Sequence, residues 1–318
     1  MKRMIHCIAG ATLAVASLSA SASDFPTGTV DIVVPFGAGG STDLMTRALA
    51  QEMEGPLGVS VGVVNKTGGA GTIGTAEAAS ASPDGYTVGM IPVGPLTTQT
   101  NLRNLPYDPE SFDYVCLVYS NPQILIVSQD SEFDSVNDLI EAAAERPGEL
   151  RFGSTGAGSV PHLAGVALAT EADIELVHVP HSDDAEQLSS LLGGHIHMLV
   201  SHPAFLTANE DSVKGLGLMV PERIEQFPDL QTFAEQGAPE LDIRVWGGLT
   251  VPAGTPPEVI AKLEEACEVA VHSDGFREQL ARLNTPEAYM GSEEFRAFVM
   301  GEYENNRMLL REAGLLED

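Results

Sequence analysis

Val30-Asp31-Ile32-Val33-Val34-Pro35-Phe36 runs directly into Gly37-Ala38-Gly39-Gly40 and then into Ser41-Thr42-Asp43-Leu44-Met45-Thr46-Arg47. The first part is a short β-branched run, which reads as a strand. The glycines make a tight turn, and the pattern from Ser41 to Glu54 has helical spacing. Strand, turn and helix in that order form one unit of an α/β fold.

The unit recurs along the chain. Val59 to Val64 precedes a second Gly-rich turn and the Ala-rich stretch Thr72 to Ala81, and Tyr86 to Ile91 follows Pro83-Asp84-Gly85. A second series starts at Gln123 to Val127. It continues with a helix from Ser135 to Glu145, a strand from Leu150 to Gly153 and a helix from Ser159 to Thr170, then strands at Leu176 to Val179, Met198 to Val200 and Leu216 to Met219. Strands alternating with helices predict a mostly parallel sheet in each series. After Ile243 to Val251 only helical patterns follow, at 258–272, 274–283 and 292–313. Helices without strands of their own must cover a sheet made earlier, so the end of the chain is expected to return to the first lobe. The expected division is 23–122 plus 246–318 for lobe 1 and 123–245 for lobe 2. Crossings near Ser120 to Ile124 and Arg244 to Gly248 form a two-segment hinge, with the ligand cleft between the lobes.

Two turns carry chemistry. Along Pro35-Phe36-Gly37-Ala38-Gly39-Gly40-Ser41-Thr42-Asp43, free backbone N–H groups at a helix start suit an anion, with Ser41 or Thr42 as the N-cap. Gly153-Ser154-Thr155-Gly156-Ala157-Gly158-Ser159-Val160-Pro161-His162 has the same plan in the other lobe, with Pro161 in the first helical turn. A helix terminus contributes roughly 0.3–1 kcal/mol and a charge-assisted hydrogen bond roughly 1.5–3 kcal/mol. Several together reach micromolar affinity, about −8 kcal/mol, without a lysine. The first turn lacks the full G-x-G-x-x-G spacing of a dinucleotide site. The third Gly-rich turn, Asn65 to Gly74, reads as a structural turn first and a ligand contact second.

Composition narrows the partners. Sixteen Lys and Arg stand against 45 Asp and Glu, a formal charge of −29 in 318 residues. Such a surface excludes nucleic acid, which needs a basic footprint, and suggests adaptation to salt, where counterions screen self-repulsion. Lys2-Arg3, the apolar stretch Ile8 to Ala16 and the small residues Ala20-Ser21-Ala22 read as a cleaved export leader over 1–22. The apolar run is shorter than the roughly 20 residues of a membrane span, and Cys7 lies on the wrong side of it for a lipid-anchored mature terminus. Of the remaining cysteines, Cys116 lies in a strand-like run and Cys267 in a helix-like one. No disulfide framework is visible, and two unpaired thiols are the plainer reading.

These stretches together resemble the extracytoplasmic solute-binding proteins of tripartite tricarboxylate transporters, the Bug type. The resemblance spans nearly the whole mature chain. It rests on Val33-Val34-Pro35-Phe36-x-Ala38-Gly39-Gly40-x-x-Asp43, Asn65-Lys66-x-Gly68-Gly69-Ala70-Gly71-x-Ile73-Gly74 and Ala81-x-Pro83-Asp84-Gly85-Tyr86-Thr87. Later matches are Gly156-x-Gly158-Ser159-x-x-His162-Leu163-Ala164-Gly165, Val177-His178-Val179-Pro180, Leu191-Leu192-Gly193-Gly194 and Val251 to Pro257. The resemblance implies a type II periplasmic-binding-protein fold of the Venus flytrap kind. It also implies a periplasmic, monomeric protein without cofactor or enzymatic activity that captures a small organic carboxylate, a di- or tricarboxylate or an aromatic acid, for membrane transporter subunits. A periplasmic sensing module that presents the carboxylate to a signalling receptor is the alternative. Carried over by position, the resemblance implies contacts from the backbone and hydroxyls of Phe36, Ala38, Gly39, Ser41, Thr42 and Asp43, with Thr155, Ser159 and His162 across the cleft, and Asp43 is expected to orient its loop.

Two places depart from the family's pattern. His181-Ser182-Asp183-Asp184 replaces the usual Tyr-Lys-Gly-Gly, and Leu199-Val200-Ser201-His202-Pro203 replaces a Phe-Asp-containing stretch. His181, Ser201 and His202 are therefore candidates for the far end of the ligand. Six of eight histidines lie between 162 and 202, which raises metal binding or pH-sensitive binding as lesser readings. Ser159 with His162 offers a nucleophile and base but no third group.

Overall fold

The computed structural model describes residues 25–316; the leader assigned to 1–22 lies outside them. Its strands are β1 (Val30–Val34), β2 (Val61–Asn65), β3 (Thr87–Pro92), β4 (Phe112–Pro122), β5 (Ile124–Ser128), β6 (Arg151–Ser154), β7 (Val177–Pro180), β8 (Met198–Ser201), β9 (Val213–Leu218), β10 (Arg244–Pro252) and β11 (Glu287–Met290). The helices are α1 (Ser41–Leu57), α2 (Thr72–Ala79), α3 (Gln99–Leu102), α4 (Val136–Glu145), α5 (Val160–Glu171), α6 (Asp184–Leu192), α7 (Pro203–Ala208), α8 (Pro257–Val271), α9 (Asp274–Arg282) and α10 (Ser292–Glu312).

The strands form two sheets, in the orders β11-β4-β10-β3-β1-β2 and β7-β6-β8-β5-β9. The two-lobed α/β class holds, but neither sheet is mostly parallel. β1 pairs in parallel with β2 and β3, and β6 in parallel with β7 and β8, whereas β10 is antiparallel to β3 and β4, and β5 to β8 and β9. The crossings explain this. The chain leaves the first sheet along β4 and returns along β10, paired from Pro122 opposite Arg244 to Phe112 opposite Pro252 with register shifts at Gly247/Gly248 and Leu249/Thr250. A strand retracing its exit path must run the opposite way.

Alternation along β1 splits its side chains between two cores. Ile32 and Val34 pack with Met45, Leu49 and Met53 of α1 and Leu263 and Ala270 of α8, while Val33 faces Trp246 of β10 and Phe295 and Val299 of α10. The second sheet does the same: Leu125 and Val127 pack with Leu139 of α4 and Leu168 of α5, and Ile124 and Ile126 with Leu191 of α6 and Phe205 of α7. α10 belongs to both bodies, since its far end sends Leu309 and Leu310 into the core of the second sheet.

Three local expectations are corrected. Cys116 of β4 and Cys267 of α8 form a disulfide, with Cα atoms 6.6 Å apart and 151 positions between them. The reading as unpaired thiols failed because no local pattern shows that a helix following the second series lies on β4. β11 is a strand after Val251, a short edge strand whose Glu287 and Met290 pair with Tyr119 and Leu117. Gly40, not Ser41 or Thr42, takes the N-cap position of α1. α6 and α7 follow β7 and β8 and are additional elements, not anticipated because the residues after those strands show no clear helical periodicity.

Candidate functional site

The turn between β1 and α1 is held from beneath by Asp43, which is buried. Its carboxylate accepts from the Gly39 N–H at 2.8 Å, from Arg47 Nε at 3.0 Å and from Asn65 Nδ2 at 2.9 Å. Asn65 Nδ2 also donates to the Phe36 carbonyl at 3.0 Å, and Arg47 donates to Asn65 Oδ1 at 3.0 Å. Burial pushes the Asp43 carboxyl up, but Arg47, Gly39 and Asn65 together outweigh it and hold it below the usual carboxylate value. With every lone pair engaged inward, Asp43 shapes the loop and leaves outward donors to the backbone. No side chain caps α1, so the first-turn N–H groups of Ser41, Thr42 and Asp43 have no intrahelical acceptor.

The opposing turn, between β6 and α5, is built differently. Ser159 caps α5, accepting from the His162 N–H at 3.3 Å, and its hydroxyl donates to the Gly156 carbonyl at 2.8 Å. The Gly158 N–H donates to His162 Nδ1 at 2.9 Å, which places the imidazole proton on Nε2. The Ser159 hydroxyl is thus turned away from the imidazole, and the two do not form a nucleophile and base.

Between the turns lies a cavity of about 510 Å³, a volume ordinary for a small-molecule site. Phe36 and Thr42 line it from the first body, and Thr155 and Ser159 from the second. Ala38, Gly39 and Ser41 are exposed and do not line it, and Asp43 and His162, buried within the first and second turns, do not line it either. His181, Ser201 and His202 do not line it. They sit at the ends of β7 and β8: the His181 N–H donates to the Ser154 carbonyl at 2.9 Å, and His202 caps α7. His181 Nδ1 is buried without a partner. Other hollows of about 490–500 Å³ lie elsewhere, and none touches both turns.

The structure adds residues that sequence reading missed. Tyr119 of β4 lines the cavity, its hydroxyl 3.5 Å from Thr42 Oγ1. Burial pushes the phenol up to about 12, so it stays neutral. Thr98 and Gln99 enter from a turn of π-helix, Gly94–Thr98, which links β3 to α3. Such turns widen a helix and redirect side chains. Thr98 Oγ1 and Gln99 Oε1 are buried there and have no protein partner. Ala70, in the third Gly-rich turn, also lines the cavity, with φ at 58°. Next to it Gly71 approaches Phe36 and Pro95 so closely that a Cβ would stand 3.1 Å from each.

The histidines do not converge on one point. His162 and His178 stack with ring centroids 3.7 Å apart beneath the second turn, and His178 Nε2 lies 2.6 Å from Ser154 Oγ. Burial, then the neighbouring His162 and His181 rings, pushes His178 down to about 4, and burial lowers His162, so both are neutral at pH 7. His197 instead accepts from the Arg151 N–H at 3.0 Å, and His202 faces Asp184 at 3.8 Å. Among the described residues no group of three or more His, Cys, Asp or Glu is placed to hold a metal ion, and no helix is long and apolar enough to cross a membrane.

Residues 45–315 match the family described as tripartite tricarboxylate transporter family receptor. A Pseudomonas sp. (strain P51) protein, the UPF0065 protein in the tcbD-tcbE intergenic region, is 32% identical over 87% of this chain and 84% of its own. Among solved structures, a TctC solute binding protein from Polaromonas superposes with a TM-score of 0.83 at 31% identity, covering 91% of this chain and 99% of that one. An R. palustris protein with adipate superposes with a TM-score of 0.73 at 28% identity, covering 92% and 99%. A match over most of the described residues, joined to the same fold, means that this chain belongs to the tripartite tricarboxylate transporter receptor family.

Proposed function

We propose that the protein captures one small organic carboxylate in the cavity between its two Gly-rich turns and delivers it, outside the cytoplasm, to a membrane transporter. The observation that carries this reading is the pairing of two helix N-termini, α1 and α5, across one cavity that no charged side chain lines. Backbone N–H groups and helix dipoles there supply the positive potential an anion needs. The adipate bound to the R. palustris relative supports the ligand class. The lobes are 23–122 with 246–318, and 123–245, moving about the crossings at 120–124 and 244–248. At that hinge the backbone of Gln123 bonds to Ile243 and Met219, at 2.9 Å each. Closure brings His181, Ser201 and His202 toward the ligand and raises the closed population.

The test is a thermal-shift screen of the purified protein against mono-, di- and tricarboxylates, with Asp43→Ala beside it. A ligand at ~100 times its Kd stabilises the wild type by about 2.7 kcal/mol, and Asp43→Ala, whose first turn is unbraced, loses most of that shift. A screen in which no carboxylate shifts the wild type rejects the proposal.

A further inference from the structure

We infer that the phenol of Tyr119 is a ligand-binding group: it donates a hydrogen bond to the carboxylate held at the N-terminus of α1, and Gly247 is the residue that lets it reach there. This rests on the capture reading above and adds to it a neutral donor carried by β4, one of the two crossing strands.

The position of the hydroxyl is set from two sides. Tyr119 lines the cavity, and its oxygen is 3.5 Å from Oγ1 of Thr42, which lines the same cavity from the first turn of α1. A carboxylate oxygen accepting from the free N–H groups of that turn is therefore within reach of the phenol. On the other side Tyr119 pairs with Gly247 of β10. A Cβ at Gly247 would stand 2.5 Å from Cε1 of the ring and 2.6 Å from both Cζ and the hydroxyl oxygen. Gly247 is not among the glycines with left-handed backbone, so what it supplies is space. The ring crosses β10 through a gap that a side chain would close.

The hydroxyl also lacks what the other buried tyrosines have. Tyr107 donates to the Pro95 carbonyl at 3.0 Å and Tyr114 to the Pro109 carbonyl at 2.9 Å. Tyr119 is equally buried, yet its partner among the described residues is Thr42 at 3.5 Å, well beyond the about 2.7–2.8 Å of a sound O–H···O bond. A buried hydroxyl costs free energy unless it is hydrogen-bonded, and phenylalanine would fill the same core without that cost. A carboxylate is a stronger acceptor than a threonine hydroxyl. The phenol, kept neutral by burial, has a proton to give it.

Calorimetric titration of the purified full chain with malate, adipate, citrate and benzoate tests this, with Tyr119→Phe and Gly247→Ala beside the wild type. Tyr119→Phe keeps the ring and removes one oxygen. Its unliganded melting temperature should match that of the wild type, while its affinity for whichever of the four acids binds the wild type should fall about tenfold or more. Gly247→Ala, which drives the ring aside, should weaken the same acid. Carbon-13 labelling of the tyrosine Cζ gives a separate reading: the Tyr119 resonance, assigned by its loss in Tyr119→Phe, should move when that acid is added. Wild-type affinity in either variant, or a Tyr119 resonance that stays in place, overturns the inference and leaves carboxylate capture standing. Failure of all four acids to bind the wild type removes both.

Discussion

At the scale of the residue, Glu302 shows how burial turns a carboxyl into a pH sensor. It sits on α10 beside Trp246, whose indole N–H donates to Oε2 at 3.2 Å. Burial weakens it as an acid, pushing its pKa up to about 7; the Trp246 hydrogen bond opposes that, and Asp242 adds to it. The folded value lies above the unfolded one, so the contribution is fully present below about pH 4.5 and is lost as pH rises through about 7. Glu302→Gln keeps an acceptor for Trp246 without the charge. It should be more stable than wild type at pH 8 by about 1–2 kcal/mol, after allowance for partial solvent access. Urea midpoints of both proteins should agree more closely at pH 5 than at pH 8; equal gaps at the two pH values would contradict the assignment. Legibility at this scale was uneven. Gly39, Asp43 and Ser159 could be read because left-handed turns and caps restrict residue type. Tyr119, Thr98 and Gln99 could not, because a tyrosine in an apolar strand and two polar residues in a helical run look like ordinary filling. Only the strand crossing and the π-turn aim them at the cavity.

At the scale of the element, the disulfide joins β4, which leaves the first sheet, to α8, which covers it afterwards. Both half-cystines are fully buried, so the bridge is part of the core. Closing so long a loop removes much of the freedom of the unfolded chain, and the double variant Cys116→Ala/Cys267→Ala should lose about 2–4 kcal/mol in chemical denaturation. Its ligand preference should not change, because neither residue approaches the cavity. A double variant as stable as wild type would mean the bridge adds nothing to the packing around it. Elements flanked by Gly-rich turns were legible to within a few residues. β11 was not, because Glu-Ala-Tyr-Met lacks alternation and pairs only through the outer edge of β4. The antiparallel sense of β10 was equally hidden, since direction within a sheet is a property of the path and not of the strand.

At the scale of the whole molecule, the charge of −29 sets the behaviour in salt. Exposed pairs such as Arg282 with Glu278 and Arg296 with Glu110 are too few to offset it and weaken as salt rises. Self-repulsion weakens too, because the screening length falls from about 10 Å at 0.1 M to about 3 Å at 1 M. Repulsion outweighs attraction here, so the melting temperature should climb by about 5 °C between 0.1 and 2 M KCl. A flat or falling curve would show that the acidic surface is no adaptation to salt.

Two strands crossing between two bodies define an axis, and a body on an axis swings like a door with no preferred angle. α10 breaks that symmetry, because Phe295 and Val299 are anchored in one core and Leu309 and Leu310 in the other. A rod fixed at both ends resists a change in the angle between the bodies it joins. On the proposed hinge motion the frame would act as a sprung clip with a resting gap, and a captive that fits poorly would work against its recoil.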